Sequence, residues 1–136
     1  WSPDGRRIAF ISNRDEEDGI FVMDVDGGNQ TQLTNNSLDW DPAWSPDGRR
    51  IAFISNRDGD WEIFVMDSDG RNQTQLTNNS SNELRPAWSP DGRRIAFDSY
   101  RDGDWEIFVM DADGSNQTQL TFNDDWDSSP AWCPVE

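Results

Sequence analysis

Eight tryptophans, and 27 acidic side chains against 11 arginines, are the reactive stock of this 136-residue chain. It has no histidine and no lysine. Without imidazole, the usual general base and the commonest transition-metal ligand are missing, so a Ser-His-Asp or Cys-His site within one chain is excluded. Carboxylates, indoles and guanidinium groups remain, and they crowd into a few segments. Asn35–Asp41 holds Trp40 and Asp41; Asn78–Arg85 holds Glu83 and Arg85; Phe122–Asp127 holds Trp126 and Asp127. The shorter segments Asp15-Glu16-Glu17-Asp18, Asp58-Gly59-Asp60-Trp61 and Asp102-Gly103-Asp104-Trp105 add more acids and two further indoles.

Three chemistries suit such a set. Trp40, Asp41, Trp61, Arg85, Trp105, Trp126 and Asp127 can form a recognition surface for a basic or Arg-rich protein segment, or for a carbohydrate, since aromatic and Arg side chains anchor interfaces. Asp41 and Asp127 can share a divalent cation such as Ca²⁺. The plainest reading is a solvated acidic face, with Trp61 and Trp105 packed into the fold. Paired carboxylates also serve glycosidases. Here every acid has a turn or surface explanation and no segment carries a unique constellation, so no catalysis is expected.

Net charge is −16. That balance disfavours nucleic acid, which is gripped through phosphates, and anionic membrane surfaces; it suits cations, basic partners or high salt. No run approaches the roughly 20 apolar residues of a membrane helix, so no membrane insertion is expected. Cys133 is alone, which rules out an intrachain disulfide; it is expected to be dispensable. The chain starts at Trp1 without an initiator Met, as a mature form or an excised piece would.

The elements that position these residues repeat. Trp1, Trp44, Trp88 and Trp132 stand 43, 44 and 44 residues apart. "IFVMD" recurs at Ile20, Ile63 and Ile107, and "NQTQLT" at Asn29, Asn72 and Asn116. Each unit reads as strand throughout. Ser45-Pro46-Asp47-Gly48 is a tight turn. Arg50–Ser55 and Trp61–Met66 are apolar on successive residues, the mark of strands buried on both faces. Asn72–Thr77 is polar enough for an outer edge, and Arg85–Ser89 supplies a short fourth strand. Four strands per unit at a period in the forties point to propeller blades, with a β-solenoid as the alternative.

The stretch "PAWSPDGRRIAFISNRDGDWEIFVMDSDGRNQTQLT" resembles a WD-repeat-like blade of the TolB family, and the likeness covers essentially the whole chain. The resemblance implies six-bladed propellers that mostly serve as binding platforms, and members that are often periplasmic or secreted. Related blades also form gating domains of some prolyl peptidases. The motif specifies fold more than function. A Ca-binding propeller hydrolase, a lectin-like protein, or a purely structural fragment of a longer propeller are the alternatives to a binding role.

With the strands of a blade lettered a to d from the axis outward, the chain reads b-c-d, a-b-c-d, a-b-c-d, a. The expected fold is all-β: three four-stranded antiparallel blades in one half-propeller domain. Blade 1 spans residues 1–34, blade 2 residues 41–77 and blade 3 residues 85–121. Blade 1 is expected to be completed by residues 128–132 of a partner chain, through Ser129, Pro130, Ala131 and Trp132, so that a homodimer closes a six-bladed ring. Asp41 and Asp127 are expected to ring the channel mouth with Arg85 between them. The Asp24/Asp26, Asp67/Asp69 and Asp111/Asp113 pairs begin like calcium loops but lack the distal bidentate Glu, so they read as turns.

Overall fold

The structure, a computed structural model, describes residues 1–14, 18–35 and 38–133. The acidic stretch at 15–17, Asn36, Ser37 and residues 134–136 lie outside the described residues. Eleven strands follow one another: β1 (Arg7–Ser12), β2 (Gly19–Asp24), β3 (Thr31–Gln32), β4 (Asp39–Trp44), β5 (Arg50–Ser55) and β6 (Glu62–Asp67), then β7 (Thr74–Gln75), β8 (Glu83–Trp88), β9 (Arg94–Ser99), β10 (Glu106–Asp111) and β11 (Thr118–Gln119). They form three antiparallel sheets, ordered β1-β2-β3, β4-β5-β6-β7 and β8-β9-β10-β11. Among the described residues no helix is long and apolar enough to cross a membrane.

The turns explain why these elements form. Gly48 takes φ 69°, which a side chain rarely tolerates. Its N–H donates to the Ser45 carbonyl at 2.9 Å, while the Ser45 hydroxyl donates to Asp47 at 2.6 Å and accepts from the Arg50 N–H at 2.9 Å. Asp47 is held below the usual carboxylate range, first by that hydroxyl and then by the Arg49 N–H. The Leu-Thr that closes each unit caps a buried strand: Thr77 is buried, and its hydroxyl accepts from the Ile63 N–H at 2.8 Å.

The outer strands are shorter than the sequence suggests. Asn29, Asn72 and Asn116 take positive φ (49°, 52° and 53°), which delays pairing to the two residues Thr-Gln. A short edge offers little template for another strand. The inner strands are longer, beginning at Asp39 and Glu83, because each carries a bulge. Register shifts between Trp40 and Ala43 and between Leu84 and Ala87, where Asp41 and Arg85 both take φ 52°.

The apolar cores lie between the sheets. One joins Ile20 and Val22 to Ile51, Phe53, Phe64 and Met66. The other joins Ala52, Ile54, Ile63 and Val65 to Ile95, Phe97, Phe108 and Met110. Face-to-face stacking of this kind, with the middle strands covered on both sides, is the packing of propeller blades. Residues 129–133 pair with no strand. They were expected to complete blade 1 of a partner chain; this chain's own β1 lies two blades away. Trp132 is nonetheless seated: its Nε1 donates to the Ala87 carbonyl at 2.9 Å, as Trp88 donates to Ala43 at 3.1 Å.

Candidate functional site

The bulges of β4 and β8 turn Asp41 and Arg85 toward a groove between blades 2 and 3. The cavity there is about 350 Å³, lined by Trp40, Asp41, Ile54, Trp61, Asn82, Leu84, Arg85 and Trp105. Five of the seven residues expected at a binding surface thus meet in one place. Trp40 and Trp61 are 5.1 Å apart between ring centroids, tilted by 41°. Trp40 Nε1 donates to Asp18 at 3.1 Å. The Trp61 backbone N–H donates to Asn82 Oδ1 at 3.1 Å, and the Glu83 N–H to the Trp61 carbonyl at 2.7 Å. Those bonds lock the loop before β6 to the loop before β8. Trp61 also packs against the core shared by blades 2 and 3, and Trp105 meets Tyr100 at 5.4 Å between ring centroids, tilted by 55°. Trp61 is therefore half structural and half lining, while Trp105 lines the groove beside the exposed Tyr100.

Trp126 and Asp127 stand apart from this groove. Trp126 is 67% exposed. Asp127 accepts from Asn123 Nδ2 at 2.7 Å, and its N–H donates to the Trp105 carbonyl at 2.8 Å. In the repeat Asp127 is the counterpart of Asp39 and Glu83, which are fully buried and paired with Arg57 (3.3 Å) and Arg101 (3.0 Å).

A second cavity of about 380 Å³ lies beside Asp41, Pro42, Arg85, Pro86, Ser129 and Pro130. Asp41, Arg85 and Ser129 occupy one repeat position and share a left-handed backbone (φ 52°, 52° and 60°). Asp41 and Arg85 therefore line both cavities, and the third place beside them, expected of Asp127, falls to Ser129. Among the described residues no three His, Cys, Asp or Glu side chains gather as a metal site.

Sequence reasoning missed Asp98. It sits in "IAFDS" where the other copies have "IAFIS", so an acid replaces Ile11 and Ile54. Asp98 is completely buried. Burial pushes its carboxyl up, opposed by Arg85 and by the Ser129 N–H at 2.9 Å. Its Oδ2 accepts from Arg85 Nη1, so the single cation of the groove is pinned from beneath. The departure from an otherwise repeated word was the available signal.

Neighbouring acids hold the loops. Asn79 donates through its N–H to Glu62 at 2.7 Å and through Nδ2 to Glu83 at 2.8 Å. Asn123 repeats the pattern with Glu106 (2.9 Å) and Asp127. Burial pushes the carboxyls of Glu62 and Glu83 up, and each keeps one buried oxygen without a partner. The arrangement offers a rigid, partly apolar slot with aromatic walls, an exposed carboxylate and one fixed guanidinium.

Comparison with known proteins agrees with the geometry. A family model described as the TolB beta propeller domain matches residues 1–136. The curated Tol-Pal system protein TolB of Hahella chejuensis (strain KCTC 2396) is 46% identical over 35 residues, 26% of this chain and 8% of that protein. The chain thus matches only a small part of that relative's length. The solved structure of a putative TolB from Agrobacterium tumefaciens superposes with TM-score 0.82 at 35% identity, covering 89% of this chain and 47% of that one. TolB from Acinetobacter baumannii gives TM-score 0.87 at 28% identity, covering 96% and 33%. An oligogalacturonate lyase in complex with manganese shares the fold alone, at TM-score 0.81 and 16% identity over 100% of this chain and 42% of that one.

Proposed function

The chain belongs to the TolB beta propeller domain family, and from that premise we propose that it is a non-catalytic binding platform, working in the periplasm or outside the cell, whose groove between blades 2 and 3 takes a basic, partly apolar protein segment. The observation that carries this reading is the meeting of Trp40, Trp61 and Trp105 with Asp41 and Arg85 around one cavity. Indole faces attract a guanidinium or ammonium group by about 0.5–2 kcal/mol each. Asp41 supplies the opposite charge, and the net charge of −16 draws a basic segment in. Arg85, paired with Asp98, is positioned to donate to a backbone carbonyl or a carboxylate of the same segment. The lack of histidine removes the usual general base from this chain.

The test is fluorescence anisotropy with a labelled peptide of alternating Arg and Leu, at physiological salt, with indole quenching followed in parallel. Saturable binding that weakens tenfold or more in Trp40→Ala and severalfold in Asp41→Asn is expected. Binding that vanishes on modest addition of salt yet ignores both substitutions would mean only diffuse charge attraction and would overturn the reading. Capture of an oligosaccharide in place of the peptide would assign the indoles to sugar stacking instead.

A further inference from the structure

Asp98 puts a carboxylate where Ile54 stands in blade 2 and Ile11 in blade 1. Its place in the sheet does not call for one. Asp98 lies opposite Ile107 as Ile54 lies opposite Ile63 and Ile11 opposite Ile20, in one and the same register. An acid in a core is unfavourable unless a cation and hydrogen-bond donors meet it. Both are supplied here. Oδ2 accepts from Arg85 Nη1, and Oδ1 accepts from the Ser129 N–H at 2.9 Å, so each oxygen has a partner.

The inner strands carry a matching departure. Asp41 in β4 and Arg85 in β8 stand at the same bulge, and both line the same groove. The residue before the bulge lies opposite Asp98 in blade 3, where Leu84 pairs with it, and opposite Ile54 in blade 2, where Trp40 does. The cation of the pair therefore has an acid within its own blade, and the anion has an isoleucine. Asp41 is exposed and takes part in no ion pair among the described residues. It is nonetheless close enough to Asp98 for its charge to add to the upward push on that buried carboxyl. Arg85 thus stands between two carboxylates and is held by the buried one. Opposite charges attract more strongly where water is excluded, while an exposed pair gains little.

We propose that Asp98 is the positioning residue that makes the groove select a cationic segment: by holding Arg85 it keeps Asp41 unpaired and open to the ligand's charge. This rests on the binding role given above for the same groove. Without Asp98, Arg85 would turn across the groove to Asp41, since the two line one cavity and carry opposite charges. That pair would occupy the carboxylate a basic side chain needs and lay a guanidinium over the indole-lined slot. With Asp98 in place, the charge of Arg85 is offset from beneath. Its remaining N–H groups are left for a neutral acceptor such as a backbone carbonyl. Asp41 keeps its full charge for an ammonium or guanidinium group held at the indole faces. Asp41, Arg85 and Asp98 all lie on the facing blades 2 and 3.

The experiment compares two labelled peptides on the 136-residue chain by fluorescence anisotropy at physiological salt, one of alternating Arg and Leu and one of alternating Glu and Leu. The parent is expected to favour the Arg peptide by about tenfold or more. Asp98→Asn is expected to narrow that preference to within about threefold. Asp41→Asn, which weakens the Arg peptide severalfold in the parent, is expected to weaken it less than about twofold further in the Asp98→Asn background, because Asp41 is already occupied there. Loss of a merely structural acid would weaken both peptides alike and leave the Asp41 effect intact, which would overturn the proposal. Urea unfolding of Asp41→Asn alone gives a check with Asp98 unaltered. Unchanged or raised stability is expected; a loss would mean that Asp41 is already paired in the free chain and would equally overturn the proposal. A parent that binds the Arg peptide but shows no altered preference in Asp98→Asn removes the positioning role and leaves the binding role standing. A parent that binds neither peptide removes both.

Discussion

The two rims of the molecule are built on opposite plans. On one rim lie the turns Ser-Pro-Asp-Gly and Asp-x-Asp-Gly, the same in every copy. Their carboxylates are spent on local bonds: Asp4, Asp47 and Asp91 each accept from a serine hydroxyl at 2.6 Å. On the other rim the loops differ from copy to copy, and their polar groups reach between elements, as Trp61 to Asn82 and Asn79 to Glu62 do. The repeated carboxylates answer to their own turns, while repeated glycines such as Gly70 also lie against the neighbouring blade. Divergence marks residues that answer to a neighbouring blade or to a ligand.

That contrast can be broken or sharpened by substitution. The largest effect is expected on the uniform rim. Gly70→Ala adds left-handed strain at φ 88° and a backbone clash at 2.8 Å, and should cost roughly 3 kcal/mol or more, read by urea unfolding. Gly27→Ala has nearly the same φ (85°) and open space in the single chain, so the difference between the two isolates the blade contact. A smaller cost for Gly70→Ala than for Gly27→Ala would contradict the packing described.

Next comes the buried pair on the varied rim. Arg85→Ala leaves Asp98 buried without its counter-charge. Arg85 is 39% exposed, so the cost is expected at about 1–3 kcal/mol, below that of a fully buried pair. The double variant Arg85→Leu with Asp98→Ile restores the apolar word of the other copies and should recover most of that stability while abolishing peptide binding. If the double variant is no more stable than Arg85→Ala, Asp98 has a different role.

The rims should also part company with pH. Glu62, Glu83 and Asp98 have carboxyls pushed up by burial. They contribute stability that is complete below their ordinary values of 4.5 and 3.8 and is lost as pH rises through the raised ones. Asp4, Asp47 and Asp91 are held down by the hydroxyls of Ser2, Ser45 and Ser89, so their contribution is present above 3.8 and is lost as pH falls through the lowered values. The melting temperature in high salt should therefore peak between about pH 4 and 5. Ser45→Ala should flatten the acid limb and Glu62→Gln the alkaline one. A curve that keeps rising to pH 8 would refute this assignment. The smallest effect is expected at Gly103→Ala on the varied rim, where φ is 97° but nothing lies within 4 Å; about 1 kcal/mol is expected, from backbone strain alone.

Much of this was legible beforehand, for identifiable reasons. Pro and Gly in the turns and unbroken apolar runs such as Ile51–Ile54 are local signals, so the strands and their grouping into blades could be read directly. Trp40, Asp41, Trp61, Arg85 and Trp105 could be named as a set because the varied loops stood out against the repeats. Their convergence in one groove, apart from Trp126, could not, because it depends on the bulges at Asp41 and Arg85. Asp98 was hidden inside an apolar strand, where an acid gives no sign of its partner.

The sequence by itself determined the blade. Period, turn chemistry and the pairing of Arg-Ile-Ala-Phe with Ile-Phe-Val-Met act over a few residues and need no distant contact. Only the tertiary structure decided which carboxylates are buried and which indoles share a cavity. Those properties belong to the pairing of strands and the stacking of one sheet on the next, where contacts join residues from 13 positions apart, as Arg85 and Asp98 are, to 45, as Trp88 and Ala43 are.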